Sequence, residues 1–443
     1  MKSVAVIGAG CCGLTAIKCC LDEGLEPVCF ERGNYISGLW HYTEEVEEGQ
    51  ACVMKSTVIN TSKEMMCYSD FPIPADFPIY MHHQQVDRYF HMYADKFGLR
   101  KYINFNTEVN VINNINHEGI FQVYLSTRSG SWIVNRVAEK GLPWDMVQST
   151  CFNTKLLTTF PNMITSRTEK KLDQKIDHEK YCLKPKHGLF SARQTMNDEL
   201  PNRIITGGVI VKANVAEFTE TGAIFEDGTT IDNLDAVVLA TGYNFGFEFI
   251  DKSVIEVKAN KVNLYKYMFP PNLQKHTMAI IGCFQALGAT MPLSEMQCRL
   301  ATRVFKGLKT MPESSKMWKD IKSKQAAMGM RYKQSLRHTI QVDYVPYMDE
   351  LAEMVGCKPN TGKLVLTDPK LSMEVFFGPC TPYQYRLMGP GPWKGARNAI
   401  MTQWERTYEP LQTRPCAKTE RKSSGAFYMM IVAVIAVLLY FIL

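Results

Sequence analysis

The chain has 443 residues, 46% of them hydrophobic and 21% charged, with a formal net charge of +6. That length and apolar content support two or three packed domains and exclude a disordered chain. The positive charge is spread along the sequence and not gathered into a basic block, which argues against nucleic acid as a partner. Fourteen cysteines are scattered, two pairs of them adjacent (Cys11-Cys12 and Cys19-Cys20), and no CxxC pair marks a zinc site. Reduced, mostly buried thiols are expected, and no metal centre.

Met1-Lys2 followed by SVAVIGAGCCGLTAI has the charge and apolar run of a signal peptide. Three glycines at fixed spacing argue for something else. Val4 to Ile7 predicts a strand, which turns at Gly8-Ala9-Gly10 and enters a helix through Cys11, Cys12 and Gly13. In that helix Leu14, Ile17 and Leu21 share one face, and Gly24 can close the C-terminus. A second strand, Val28 to Phe30, stops on Glu31. The glycines differ in what they permit. Gly8 makes the tight turn, Gly10 lets backbone approach a pyrophosphate, and Gly13 lets helix and strand pack closely. The helix N-terminus then holds the anion, and Glu31 accepts hydrogen bonds from a ribose diol. A dinucleotide site follows, although NAD and FAD use the same fingerprint.

Further along, IFQVYLSTRSGSW (residues 120–132) reads as a strand ending on a polar and basic tip, Thr127-Arg128-Ser129. IDNLDAVVLATGYNF predicts a strand at Ala236 to Leu239, and TMAIIGCFQALGAT pairs a strand with Gly282 and Gly288 ahead of a helix. The stretch ESSKMWKDIKSKQAAMGMRYKQ predicts a solvated helix. GPGPWKG at Gly389 to Gly395 imitates a glycine motif, but its prolines make it a surface turn. His82 and His83 are expected to be surface or packing residues, not ligands. Residues 426–443, AFYMMIVAVIAVLLYFIL, are uncharged and just long enough to cross a bilayer, with Lys418, Arg421 and Lys422 before them. They carry no polar stripe, so a membrane tail anchor is expected and not a buried helix.

Several of these stretches, with GNYISGLWHY, STVINTSKEMMCYSDFPIPADFP, MHHQQVDRYFHMYADKFGL, MNDELP, QVDYVPYMDEL and FFGPCTPYQYRLMGPGPWKGARNAI, resemble the flavin-containing monooxygenases through nearly the whole chain. The resemblance implies an α/β architecture: a Rossmann-like FAD domain, an inserted NADPH-binding domain and a C-terminal transmembrane helix. It implies that Gly8, Ala9, Gly10, Cys11, Cys12 and Gly13 hold the FAD pyrophosphate, that Glu31 takes the adenosine ribose, and that Leu39 and Trp40 lie beside the flavin. The family usually writes Gly-Gly-Leu-Trp where this chain has Ser37-Gly38-Leu39-Trp40, so the Ser37 side chain is expected to crowd the cofactor. Asn60, with Thr61 beside it, matches the asparagine that contacts flavin and nicotinamide near the reacting C4a position. Asn60-Thr61-Ser62 is also formally a glycosylation sequon, a role that a cytosol-facing body would not fulfil. Arg128 matches the arginine that meets the 2′-phosphate of NADPH.

The implied chemistry is hydride transfer from NADPH to FAD, dioxygen capture as a flavin C4a-hydroperoxide, and transfer of one oxygen to a small amine or sulfide. The implied location is the endoplasmic reticulum membrane, with the body in the cytosol.

One part of the family pattern is missing. Between Thr107 and Arg128 there are only about twenty residues, whereas a strand, glycine loop, helix and strand together need roughly thirty or more. No second GxGxxG occurs, and the family's FxGxxxHxxx(Y/F) signature is absent, FKGLKTM from Phe305 having methionine where histidine belongs. We therefore read residues 1–121 as the first FAD segment and 122–230 as a truncated NADPH-domain remnant. Residues 231–410 are the FAD-domain return and active-site cover, 411–425 a linker, and 426–443 the anchor. The lost strand would sit mid-sheet, so Val123 and Leu125 are expected to lose neighbours and NADPH to be taken up poorly. An active enzyme read through an incomplete coding sequence, or a membrane-anchored flavoprotein without catalysis, are the alternatives.

Overall fold

The computed structural model describes residues 2–44, 51–106, 122–238, 244–247, 249–332 and 338–414. A parallel βαβ unit opens the chain: β1 (Ser3–Ile7), helix α1 (Cys11–Asp22) and β2 (Glu26–Phe30), with Ser3 beside Glu26 and Ile7 beside Phe30. β3 (Ile103–Asn104) extends the sheet in parallel on the other side of β2. Leu14 and Ile17 are fully buried on α1, as their spacing predicts. The helix stops where Gly24 turns left-handed (φ +62°) and its N–H takes the Leu21 carbonyl.

The helix Met291–Lys306 packs along α1, with Arg303 paired to Glu23 at 3.1 Å and Lys306 donating to the Gly24 carbonyl. Beside this contact lies a buried network of charges. Asp70 accepts from Lys18 at 2.6 Å and pairs with Arg386 at 3.1 Å, and Arg386 donates to Glu295 at 2.7 Å. Glu295 also accepts from the backbone N–H of Ser69. Buried charges persist only when paired and hydrogen-bonded, and here every partner comes from a different stretch of chain. The network therefore joins α1, the segment around Asp70, the helix Met291–Lys306 and the turn Pro382–Arg386.

One apolar core runs through these elements, from Val6, Leu14 and Tyr93 to Leu293, Leu351 and Tyr385. Met146, in the short helix Trp144–Gln148, belongs to it as well. Cys151 packs against it too, and other parts of residues 122–230 form small clusters, one of Trp132, Val134, Leu172 and Leu189. There His178 accepts the Ile133 N–H on Nε2, so Nδ1 carries the proton toward Asp173 at 2.8 Å.

β4 (Val123–Ser126) pairs in parallel with Val209–Lys212 and, among the described residues, with nothing else. Parallel strands are ordinarily buried on both faces. Here Val123 is 42% exposed and Ile210 40%, so among the described residues the pair is a sheet fragment with open edges.

Two expected strands differ. Residues 236–238 form no ladder and Val238 is 77% exposed, Leu239 lying outside the described residues. Ahead of Gly282 the chain is irregular, and the strand is Gln285–Leu287, parallel to Gln341–Asp343. An apolar run becomes a strand only when neighbouring backbone offers a ladder. The outer edge of β1 has no partner among the described residues, and Ile7 is exposed. The solvated helix forms as Ser314–Arg331, and the surface turn at Gly389–Gly395 is present. The expected anchor at 426–443 and residues 415–425 of the linker lie outside the described residues. Among the described residues no helix is long and apolar enough to cross a membrane.

Candidate dinucleotide site

Three glycine-bearing segments meet at the N-terminus of α1. Gly8 turns the chain at φ +89° while its N–H stays on the Phe30 carbonyl at 2.8 Å. A Cβ on Gly13 would lie 1.8 Å from the Gly8 carbonyl oxygen, so only hydrogen fits where the helix starts beneath the turn. A Cβ on Gly10 would come within 3.6 Å of the Gly38 Cα, and one on Gly282 within 3.1 Å of the Cys12 sulfur. The first N–H groups of α1 have no partner within the helix and face this convergence, which suits an anion. Tyr68 donates to the Cys11 carbonyl at 2.7 Å and anchors the turn from below.

Glu31 closes the unit. One carboxylate oxygen accepts the Ala9 N–H at 2.6 Å and the other the Gly33 N–H at 2.8 Å. Beside it a cleft of about 250 Å³ is lined by Glu31, Arg32, Tyr35, Gly38, Leu39 and Ala51. Leu39 is half exposed there, and Trp40 packs partly against the core. Ser37 is buried in the left-handed region (φ +86°) with no partner for its hydroxyl among the described residues. The serine next to Gly38 thus brings backbone strain and, among the described residues, an orphaned hydroxyl. A larger cleft of about 480 Å³, among Trp404, Glu405, Tyr408, Glu409 and Gln412, contains none of the predicted residues.

Asn60 is exposed on the bend before the helix Lys63–Met66, with Thr61 partly buried after it, and its amide makes no hydrogen bond among the described residues. The bend itself is held. Asp145 accepts from the Ser62 N–H at 2.7 Å and from its hydroxyl at 2.8 Å. Burial pushes the Asp145 carboxyl up, opposed by those bonds. Arg128 is exposed two residues beyond β4, and no glycine turn shares that strand end among the described residues. The structure brings Gly8 to Gly13, Glu31 and Leu39 together and leaves Arg128 at the end of the isolated strand pair. Sequence reasoning missed Gly38 as the partner of Gly10, and Asp145 as the residue that holds the Asn60 bend. Gly38 was legible in principle, being a glycine directly before the Leu-Trp pair; nothing local marks Asp145.

These residues fit a flavin dinucleotide at its pyrophosphate and adenosine ends: a tight glycine turn packed on a Gly13 that admits no Cβ, a helix N-terminus and a carboxylate at the end of β2. For a nicotinamide dinucleotide they offer only the arginine end. No group of three or more potential metal ligands occurs among the described residues.

A βαβ unit with this turn and this acid defines a dinucleotide-binding α/β protein. The family model for flavin-binding monooxygenase-like proteins matches residues 1–121 and 115–443. Flavin-containing monooxygenase 5 of Cavia porcellus is 45% identical over 532 positions, covering 99% of each chain, and flavin-containing monooxygenase 3 of Homo sapiens is 40% identical over 507 positions, covering 95% of each. The chain belongs to the flavin-binding monooxygenase-like family, an enzyme family whose cofactors are FAD and NADP(H). Among solved structures, S-allyl-L-cysteine S-oxygenase from Allium sativum shares the fold at TM-score 0.56 and 19% identity, covering 92% of this chain and 98% of its own. A steroid monooxygenase bound to NADP does so at TM-score 0.53 and 13% identity, covering 80% and 97%. The 532 aligned positions exceed the 443 residues of this chain, and the two matched pieces meet at 115–121, so relatives carry residues there that this chain lacks.

Proposed function

We propose that this protein is an FAD-dependent monooxygenase that transfers one oxygen atom of dioxygen to soft nitrogen or sulfur nucleophiles of small molecules, and that its uptake of NADPH is impaired by the missing block. The observation that carries the flavin assignment is the interlock of Gly13 under Gly8 and of Gly38 against Gly10, which leaves the α1 N-terminus open to a diphosphate. Bound FAD supplies the redox and oxygen-transfer chemistry. The chain's part is to hold and shield it. The N–H groups at Cys11 to Gly13 take the pyrophosphate charge, Glu31 accepts the ribose hydroxyls, and Leu39 and Trp40 keep water from the ring. Asn60, on the bend fixed by Asp145, offers an amide to the flavin and substrate side. Arg128 takes a phosphate but lacks the glycine turn that would seat the rest of a nicotinamide dinucleotide. A C-terminal anchor in the endoplasmic reticulum membrane, formed by residues 426–443, completes the reading; alkaline carbonate extraction that releases the full chain from microsomes would remove it.

The test is anaerobic mixing of purified, FAD-reconstituted full-length protein with NADPH while the flavin absorbance is followed. A yellow protein that bleaches slowly is expected. Rapid bleaching would overturn the impairment, and a protein that takes up no FAD would overturn the whole assignment.

A further inference from the structure

Two thiols occupy the first turn of α1, where the pyrophosphate would rest. Cys11 and Cys12 are adjacent in sequence, partly exposed, and their sulfurs lie 3.8 Å apart. Cys12 also reaches across to the helix Met291–Lys306, its sulfur 3.3 Å from the Ser294 hydroxyl. The neighbouring thiols differ: Cys19, Cys20 and Cys298 are buried, and burial pushes each of them up and out of reach of solvent oxidants. From this geometry, and resting on the flavin site argued above, we propose that Cys11 and Cys12 form a peroxide-sensitive vicinal thiol pair that closes the apoprotein to FAD when oxidised.

The two thiols are unequal in a way that assigns their roles. The contact between the two sulfurs, with the Ser294 hydroxyl, draws the Cys12 thiol down to about 7 against its burial. The same contact, with burial, pushes Cys11 well up. A helix N-terminus favours a thiolate in addition. Cys12 is therefore the nucleophile and Cys11 the resolving thiol. The oxidant is hydrogen peroxide. The Cys12 thiolate attacks one peroxide oxygen, an S–O bond forms, the O–O bond breaks, and the departing hydroxide leaves as water after taking a proton. Cys12 is now a sulfenic acid, oxidised by two electrons. The Cys11 sulfur then attacks the Cys12 sulfur; an S–S bond forms, the S–O bond breaks, and the hydroxide leaves as water with the Cys11 proton. Two thiols and one peroxide yield one disulfide and two waters.

The consequence for the fold follows from distances. Adjacent Cα atoms sit about 3.8 Å apart, short of the roughly 4.4–6.8 Å that ordinary disulfides span. The ring closes only if the first turn of α1 abandons helical dihedrals, and that turn supplies the N–H groups for the diphosphate. Such a strained bond is also easily reduced by thiols, so the closure is reversible. Bound FAD would cover both sulfurs and protect them.

The experiment treats full-length apoprotein with hydrogen peroxide, with and without prior FAD saturation, then alkylates free thiols and maps peptides by mass spectrometry. In parallel, FAD binding is titrated by flavin fluorescence. Expected are a peptide holding Cys11 and Cys12 that has lost two hydrogens and resists alkylation, its reversal by dithiothreitol, its absence when FAD is bound, and an apparent Kd for FAD raised about tenfold or more. Cys11→Ser should stop at a dimedone-trappable sulfenic acid on Cys12, and Ser294→Ala should slow alkylation of Cys12 at neutral pH. A Cys12–Cys298 cross-link, Cys12 oxidised further with Cys11 still free, or a Cys11–Cys12 disulfide with unchanged FAD affinity would each overturn the proposal. Reduced protein that binds no FAD at all would refute the flavin site itself, a result the mass readout distinguishes.

Discussion

Gly13 and Ser37 show opposite uses of the same small space. At Gly13 a single added carbon would overlap the Gly8 carbonyl oxygen, which belongs to backbone and cannot swing aside. Gly13→Ala should therefore destabilise the protein by about 2–4 kcal/mol and abolish flavin retention, read by urea unfolding and by absorbance after gel filtration. Ser37 already carries the carbon its position disfavours. Its left-handed backbone costs about 1–2 kcal/mol for a non-glycine residue, and its partnerless hydroxyl about 1–3, against about 0.5–1 of extra chain entropy that glycine would lose on folding. The balance favours glycine. Ser37→Gly should raise stability by about 1 kcal/mol and tighten FAD binding; a lower melting temperature would show that the hydroxyl has a use.

Among elements, those with local punctuation were readable: β1, α1, β2 and Glu31 stand where glycine spacing and apolar periodicity put them. The runs before Leu239 and Gly282 were equally apolar but formed no strand, because pairing depends on a neighbour that no local window reveals. The charge network around Asp70 was invisible for a related reason, since Lys18, Glu295 and Arg386 are distant in sequence and each reads locally as an ordinary surface charge. Its energetics are testable. Burial raises the Asp70 carboxyl, but Arg386 and Lys18 outweigh it and hold it below the usual range. The unfolded chain then binds the proton more readily, so this contribution is present above the ordinary aspartate range and is lost as pH falls through the lowered value. Asp70→Asn, which takes one carboxylate from Lys18 and Arg386 while Asp22 and Glu295 still pair with them, should cost about 1.5–3 kcal/mol at neutral pH and make the fall in urea midpoint below the ordinary aspartate range shallower than in the parent. An unchanged acid profile would mean that other carboxylates carry it.

On the scale of the whole molecule the strand pair at β4 has open edges among the described residues, and under the proposed reading the missing block would have covered them. Each exposed branched side chain such as Val123 or Ile210 forfeits a share of the about 1.5–3 kcal/mol that full burial provides, which matters against a total of about 5–15. Grafting the corresponding residues of a close relative between 106 and 122 should raise the melting temperature and accelerate flavin reduction by NADPH at least tenfold, or about 1.4 kcal/mol of barrier; a graft that restores stability without reduction would place the defect elsewhere. Residues 122–230 are nevertheless stitched to the first segment. Tyr80 donates to the Arg136 carbonyl at 2.7 Å, Asp145 grips Ser62, and Met146 sits in the main core. A polypeptide sutured in this way leaves, among the described residues, no free bead to melt by itself, so a calorimeter should record one endotherm in which both segments give way together.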